Sequence, residues 1–122
     1  MRYLLQVYFN EAQQRLEQLP DADRAAVYQE YAAFFASPEI RDGNQLQPPA
    51  SAVTVRLDDD QIVLTEGPIV KAGEPLGGYY LIEVADRDAA VTLASRIPAL
   101  RMGAAIEVRP VIDRGAATEA EQ

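Results

Sequence analysis

The side chains that could hold a small ligand are carboxylates, tyrosines and arginines, because the chain contains no cysteine and no histidine. Without those two residue types there is no thiolate nucleophile, no Cys-ligated zinc and no imidazole base. An arginine guanidinium can bind a carboxylate or phosphate through two parallel hydrogen bonds. The residues predicted to line a site for a small anionic or polar metabolite are Tyr8, Arg56, Glu66, Tyr79, Glu83, Glu107 and Arg109. The pattern assigns no catalytic residue, metal or cofactor.

The same side chains have a structural interpretation. Charged groups buried between two copies of the chain would need partners, so these residues could form interfacial salt bridges and hydrogen bonds instead of a ligand site. A general acid or base near neutral pH would have to be a glutamate or tyrosine with a strongly shifted pKa. The sequence therefore favours a non-catalytic binding or regulatory module. A dimeric isomerase or lyase and an accessory partner-binding protein remain the alternatives.

The charge balance excludes some partners. The chain has nineteen acidic and eleven basic residues, which gives it a formal charge of −8. Such a chain repels nucleic-acid backbones and anionic membranes. No apolar run is long enough for a membrane span, and the first residues are too polar for a signal peptide, so we expect a cytoplasmic protein. The run Asp58-Asp59-Asp60 indicates a solvated hairpin turn rather than a calcium loop.

The elements that must position these residues follow from periodicity. Alternation predicts strands, i/i+4 apolar spacing predicts helices, and proline and glycine mark the breaks. The segment after the first long helix is predicted to be irregular, with a short edge strand at residues 45–47. The predicted elements are a strand at 2–9, a short helical turn capped by Asn10, a helix from Pro20 to before Ser37, a hairpin at 52–57 and 61–65, a strand at 77–84, a helix capped by Asp86 and ended by Pro98, and a strand at 105–109.

This order is typical of an α+β, ferredoxin-like split βαβ fold with an added β-hairpin. The first and third main strands would lie in the middle of the sheet, and both helices would cover one face. Side chains alternate between the two faces of a sheet, and this strand parity places Tyr3, Leu5 and Val7 under the helices. It places Gln6, Tyr8, Tyr79, Leu81, Glu83, Glu107 and Arg109 on the other, open face, where a homodimer interface could enclose a polar cleft.

Several stretches together resemble the YCII-related proteins with a DGPF motif. They are residues 3–8, 46–49, 53–56, 76–84, 96–98 and 106–111. The name-giving motif is degenerate, since Glu66-Gly67-Pro68-Ile69 stands where the family reads Asp-Gly-Pro-Phe.

The resemblance implies a YCII-related domain over residues 1–114, followed by a disordered tail at 115–122. It also implies a homodimeric α/β-barrel in which two sheets pack open face to open face, and a sigma-factor-linked regulatory setting. The His-Asp pair of superfamily enzymes cannot be present in a chain without histidine. On the first helix, Tyr31 takes the position where relatives can carry that histidine.

Overall fold

The computed structural model describes residues 1–9, 12–70 and 73–113. Its helices and strands, in chain order, are β1 (Arg2–Tyr8), α1 (Ala12–Glu17), α2 (Asp21–Phe35), β2 (Ile40–Gln45), β3 (Val53–Asp58), β4 (Gln61–Glu66), β5 (Leu76–Glu83), α3 (Arg87–Ala94) and β6 (Ala105–Pro110). Four strands form one antiparallel sheet in the order β2-β5-β1-β6, and β3 and β4 form a separate two-stranded sheet. This arrangement is consistent with the predicted ferredoxin-like fold carrying an added hairpin.

The core lies between the sheet and the helices, as strand parity predicts. Leu5 and Ile82 are completely buried, and Tyr3 and Val7 are nearly so. They belong to one buried cluster with Phe34 of α2 and with Ala90, Leu93 and Ala94 of α3. Fully burying one such aliphatic side chain contributes about 1.5–3 kcal/mol to stability. Both helices therefore pack on the same sheet face.

The two longer helices begin and end near the predicted residues. Helix α2 starts directly after Pro20, and Asp21 and Asp23 lie in its first turn, where the helix dipole favours negative charge. Asp86 caps α3, because its Oδ1 accepts a hydrogen bond of 2.9 Å from the Ala89 amide. The predicted cap Asn10 and the predicted tail at 115–122 lie outside the described residues.

The edge strand β2 begins earlier than predicted, in the segment expected to be irregular. Its sequence, Ile-Arg-Asp-Gly-Asn-Gln, has little strand propensity, so its conformation comes from pairing with β5. Gly43 makes that pairing possible. A Cβ at residue 43 would lie 2.5 Å from Cδ1 of Tyr80, and only glycine leaves room for this ring.

The hairpin β3–β4 turns where predicted. Asp59 and Asp60 have φ values of 48° and 64°, as in the left-handed two-residue turns that suit β-hairpins. The hairpin makes only marginal contact with the other described elements. Within the described part of the chain, no helix is long and apolar enough to cross a membrane.

Candidate functional site

A β-bulge shapes one end of the sheet beneath α2. The pairing of β1 with β5 passes from Val7 opposite Gly78 to Tyr8 opposite Leu76, so Gly77 is an extra residue in β5. A Cβ at residue 77 would lie 1.7 Å from Cδ2 of Phe9, which shows that the Phe9 ring packs directly on this glycine. The bulge therefore brings the backbone of β5 against an aromatic ring.

Next to the bulge is a cavity of about 320 Å³ between α1, α2 and the helix-facing side of the sheet. This volume lies at the lower end of the range for small-molecule sites, which are mostly apolar with a few polar groups. None of the described residues that line it is charged. The polar residues that line it include Tyr28, Tyr31, Tyr80 and Gln45, and the apolar ones include Val7, Phe9, Leu16, Ala32, Phe35 and Met102.

Two of these tyrosines have altered acidity. Burial, and secondarily the neighbouring Tyr80, raise the pKa of Tyr31 from 10.0 to about 12, although the Ala99 backbone and the Arg101 charge act in the opposite direction. Burial also raises the pKa of Tyr80. Both phenols are therefore protonated at neutral pH. They can donate a hydrogen bond to a ligand, and they are poor general bases.

Packing fixes the orientation of the Tyr80 ring. The ring meets Phe34 edge to face at 5.0 Å and 76°, and it lies 6.1 Å from the Phe35 ring. Gly43 provides the space on the sheet side. On the opposite, open face of the sheet, Asn44 Nδ2 donates a 3.1 Å hydrogen bond to the Tyr79 hydroxyl. Tyr80 is thus held in place before any ligand enters, which lowers the entropic cost of binding.

Four of the residues predicted from the sequence lie on the open face of the sheet, on the side away from the helices. Tyr79 and Glu107 are both paired with Gln6, one from each neighbouring strand. Arg109 Nη2 lies 2.6 Å from Glu107 Oε2, in an ion pair that misses hydrogen-bond geometry, since this oxygen has no hydrogen-bond partner among the described residues. Glu83 pairs with the amino terminus at 3.0 Å.

The other three predicted residues lie elsewhere. Arg56 and Glu66 are exposed on the hairpin. Tyr8 lines a second cavity, of about 510 Å³, between the end of the sheet and the base of the hairpin. A single chain therefore does not gather all seven side chains around one cavity. That they form a ligand cleft together stays a prediction.

The loop after β4 has a clear backbone role. Gly67 has a φ of 98°, a left-handed conformation that favours glycine. Its amide donates to the Ala52 carbonyl at 2.8 Å, and its carbonyl accepts from the Thr54 hydroxyl at 2.8 Å. These bonds close the hairpin. Within the described residues, no group of three or more acidic side chains is placed to hold a metal ion.

Sequence reasoning missed the cavity as a site. The helical spacing of Tyr31, Phe34 and Phe35 is typical of core residues, and Phe34 is indeed buried, whereas Tyr31 is half-buried and Phe35 is 48% exposed. A usable signal was present, because Tyr28, Tyr31 and Phe35 recur at i, i+3 and i+7 and so share one helix face. Only the position of Tyr31, taken from the family resemblance, pointed to this place.

Comparison with known protein families supports the resemblance noted from the sequence. The family model for the YCII-related domain matches residues 1–114, which is nearly the whole chain. A comparison with curated proteins gives no match. Because the family match covers the entire sheet, the helices and the hairpin, the chain belongs to the YCII-related domain family.

Proposed function

We propose that this chain is a cytoplasmic, homodimeric and non-catalytic module that binds a small, neutral aromatic molecule in the cavity beneath α2. The observation that carries the proposal is the pairing of Tyr31 and Tyr80 within an otherwise mainly apolar, uncharged cavity of about 320 Å³. Regulation by such a ligand is the role that best fits a small domain of this kind.

The walls define the ligand class. Aromatic rings of Phe9, Tyr28, Phe35 and Tyr80 offer faces and edges for stacking with a planar molecule. A charged ligand would lose its hydration without finding a counter-charge among the described lining residues, since none of them is charged. A neutral ring system with one or two oxygen atoms matches both the shape and the polarity of this cavity.

The two hydroxyls define the polar contact. Tyr31 and Tyr80 keep their protons at neutral pH, because burial raises the pKa of each. A carbonyl or ether oxygen of the ligand can accept a hydrogen bond from either group. Among the described residues that line the cavity, none is a carboxylate that could remove a proton from a ligand, and this supports binding rather than acid-base catalysis.

Calorimetric titration with two matched probes tests the proposal. Acetophenone carries a ring and a carbonyl oxygen, whereas ethylbenzene has a similar shape without the oxygen. We expect the wild type to bind both probes, and acetophenone more tightly. One neutral hydrogen bond contributes about 0.5–1.5 kcal/mol, so Tyr31→Phe should weaken acetophenone binding by about 2- to 12-fold and leave ethylbenzene unaffected. If the wild type bound neither probe, the proposal would be contradicted.

A further inference from the structure

We propose that a groove beside α2 is a second binding site, which takes a small organic carboxylate. This groove has a volume of about 550 Å³ and lies between α2 and the segment 95–101 that follows α3. Arg96 and Arg101 line it, and we call it the arginine groove. No described residue lines both this groove and the cavity beneath α2, so the inference does not depend on the proposed function.

The arginine groove has a different charge from the rest of the molecule. Its charged residues, among those described, are Arg96, Arg101 and Glu30. Arg101 Nη2 lies 2.8 Å and 2.7 Å from the two carboxylate oxygens of Glu30. Arg96 has no side-chain hydrogen bond or ion pair with another described residue. The groove therefore has one positive charge in excess, although the whole chain carries a charge of −8.

The two guanidinium groups have hydrogen-bond donors left for a ligand. Each guanidinium carries five N–H donors. The contact with Glu30 uses only Nη2 of Arg101, and its Nε and Nη1 donate to no other described residue. A carboxylate can accept two parallel hydrogen bonds from one guanidinium. The groove can therefore hold a second carboxylate beside that of Glu30.

The backbone that carries the two arginines is held firmly. Ile97 and Pro98 lie between them in the sequence, and both side chains are almost completely buried. The amides of Arg96 and Ile97 donate to the carbonyls of Leu93 and Ala94, at 3.0 Å and 3.1 Å, and so continue the last turn of α3. Because both guanidinium groups extend from this fixed segment, a ligand has less of the protein to order when it binds.

The rest of the lining defines the body of the ligand. Phe34 and Ile97, which are 3% and 2% exposed, contribute apolar surface from the core, and Leu100 adds apolar surface that is 40% exposed. The volume is within the range of small-molecule sites. A monocarboxylate would balance the single excess positive charge, whereas a phosphate dianion would leave a net negative charge beside Glu30. A carboxylate on a hydrocarbon body therefore fits both the charge and the lining.

Calorimetric titration with cyclohexanecarboxylate and its neutral amide tests the site. The saturated ring is chosen because the cavity beneath α2 favours planar aromatic molecules. We expect the wild type to bind the carboxylate more tightly than the amide. Arg96→Gln should weaken carboxylate binding about 5- to 12-fold. Arg87→Gln removes the same charge from an exposed position on α3 that lines none of the three cavities, and it should change the affinity less than about twofold.

Glu30→Gln should have the opposite effect. It removes a like charge from the groove and releases Nη2 of Arg101, so the carboxylate should bind more tightly. Asp23→Asn changes the net charge equally at an exposed position of α2 outside the groove, and it is the matched control. An exposed ion pair contributes little to stability, so these variants should stay folded, and circular dichroism checks this.

Four results would overturn the proposal. The wild type does not bind the carboxylate, or binds the amide equally well. Folded Arg96→Gln binds the carboxylate as Arg87→Gln does. Glu30→Gln binds it no more tightly than Asp23→Asn does. Cyclohexyl phosphate binds more tightly than the carboxylate, which would make the ligand a phosphate ester. None of these results bears on the proposed function, which the acetophenone titration judges separately.

Discussion

At the scale of single residues, Tyr31 shows how burial changes what a side chain can do. It lies beside Tyr80 in a cavity whose described lining residues are uncharged, and desolvation raises its pKa to about 12. The phenolate is disfavoured there because the cavity cannot solvate it as water does. Tyr31 therefore acts as a fixed hydrogen-bond donor over the whole neutral range.

The raised pKa of Tyr31 predicts a stability change at alkaline pH. In the unfolded chain the phenol titrates near its ordinary value of 10.0, and in the native state near 12. Below the lower value both states keep the proton, so the contribution to stability is fully present. As the pH rises from about 10 to about 12, the unfolded state loses its proton first, and the contribution disappears.

Urea unfolding at about pH 8 and about pH 11 measures this effect. The wild type should lose more stability between the two pH values than Tyr31→Phe, which has no proton to lose at this position. Comparing the two proteins cancels the titration of the other groups. Equal losses would show that the environment of Tyr31 does not favour its neutral form.

Gly77 gives a second prediction at this scale. A methyl group at this position would overlap Cδ2 and Cε2 of the Phe9 ring. We expect Gly77→Ala to reduce the free energy of unfolding by about 1–3 kcal/mol, as overpacked sites do. A double-mutant cycle with Phe9→Ala locates the cause. Gly77→Ala should reduce the free energy of unfolding by clearly less in the Phe9→Ala background, where the ring is absent. An unchanged cost would mean that Phe9 does not pack on this glycine.

At the scale of elements, α3 depends on its cap. Asp86 accepts the Ala89 amide at 2.9 Å and so satisfies one of the free amides at the start of the helix. Asp86→Ala should lower the free energy of unfolding by about 1 kcal/mol, whereas Asp86→Asn keeps an accepting oxygen and should lose much less. Urea midpoints of the two variants decide this. If Asn and Ala are equally destabilising, the negative charge rather than the hydrogen bond stabilises the helix.

Most of the elements could be predicted because their information is local. Strand alternation, the run of aspartates at the hairpin turn and the proline before α2 each specify a conformation within a few residues. Strand β2 could not be placed as well, because its polar sequence forms a strand only through the edge of β5. The space that Gly43 leaves for Tyr80 depends on the folded chain, and no short-range pattern reveals it.

The candidate site was harder to predict for a related reason. Parity correctly assigned Tyr79 and Glu107 to one sheet face, where both neighbour Gln6. The cavity arises instead from a bulge at Gly77, the ring of Phe9 upon it, and the tilt of Phe35 at the surface of α2. These features depend on how distant segments meet. A sequence pattern can name the aromatic residues of a helix but not the gap between them and the sheet.

At the scale of the whole molecule, the two sides of the sheet have different properties. The helix side encloses an uncharged cavity, although the chain carries a net charge of −8. The open side carries Glu83, Glu107 and Arg109 of the sequence-predicted set, and the hairpin has an exposed aliphatic face. We infer a division of roles, in which one side binds a ligand and the other joins a second copy.

Filling the cavity tests this account most directly. Ala32 lines the cavity from α2, whereas Ala26 is exposed on the same helix and lines none of the cavities described above. Calorimetric titration of acetophenone into Ala32→Phe and Ala26→Phe compares the same substitution at the two positions. We predict that Ala32→Phe remains folded and loses at least about tenfold in affinity, while Ala26→Phe binds as the wild type does. Unchanged affinity in folded Ala32→Phe would contradict the account, because the probe would then bind somewhere other than the tyrosine-lined cavity.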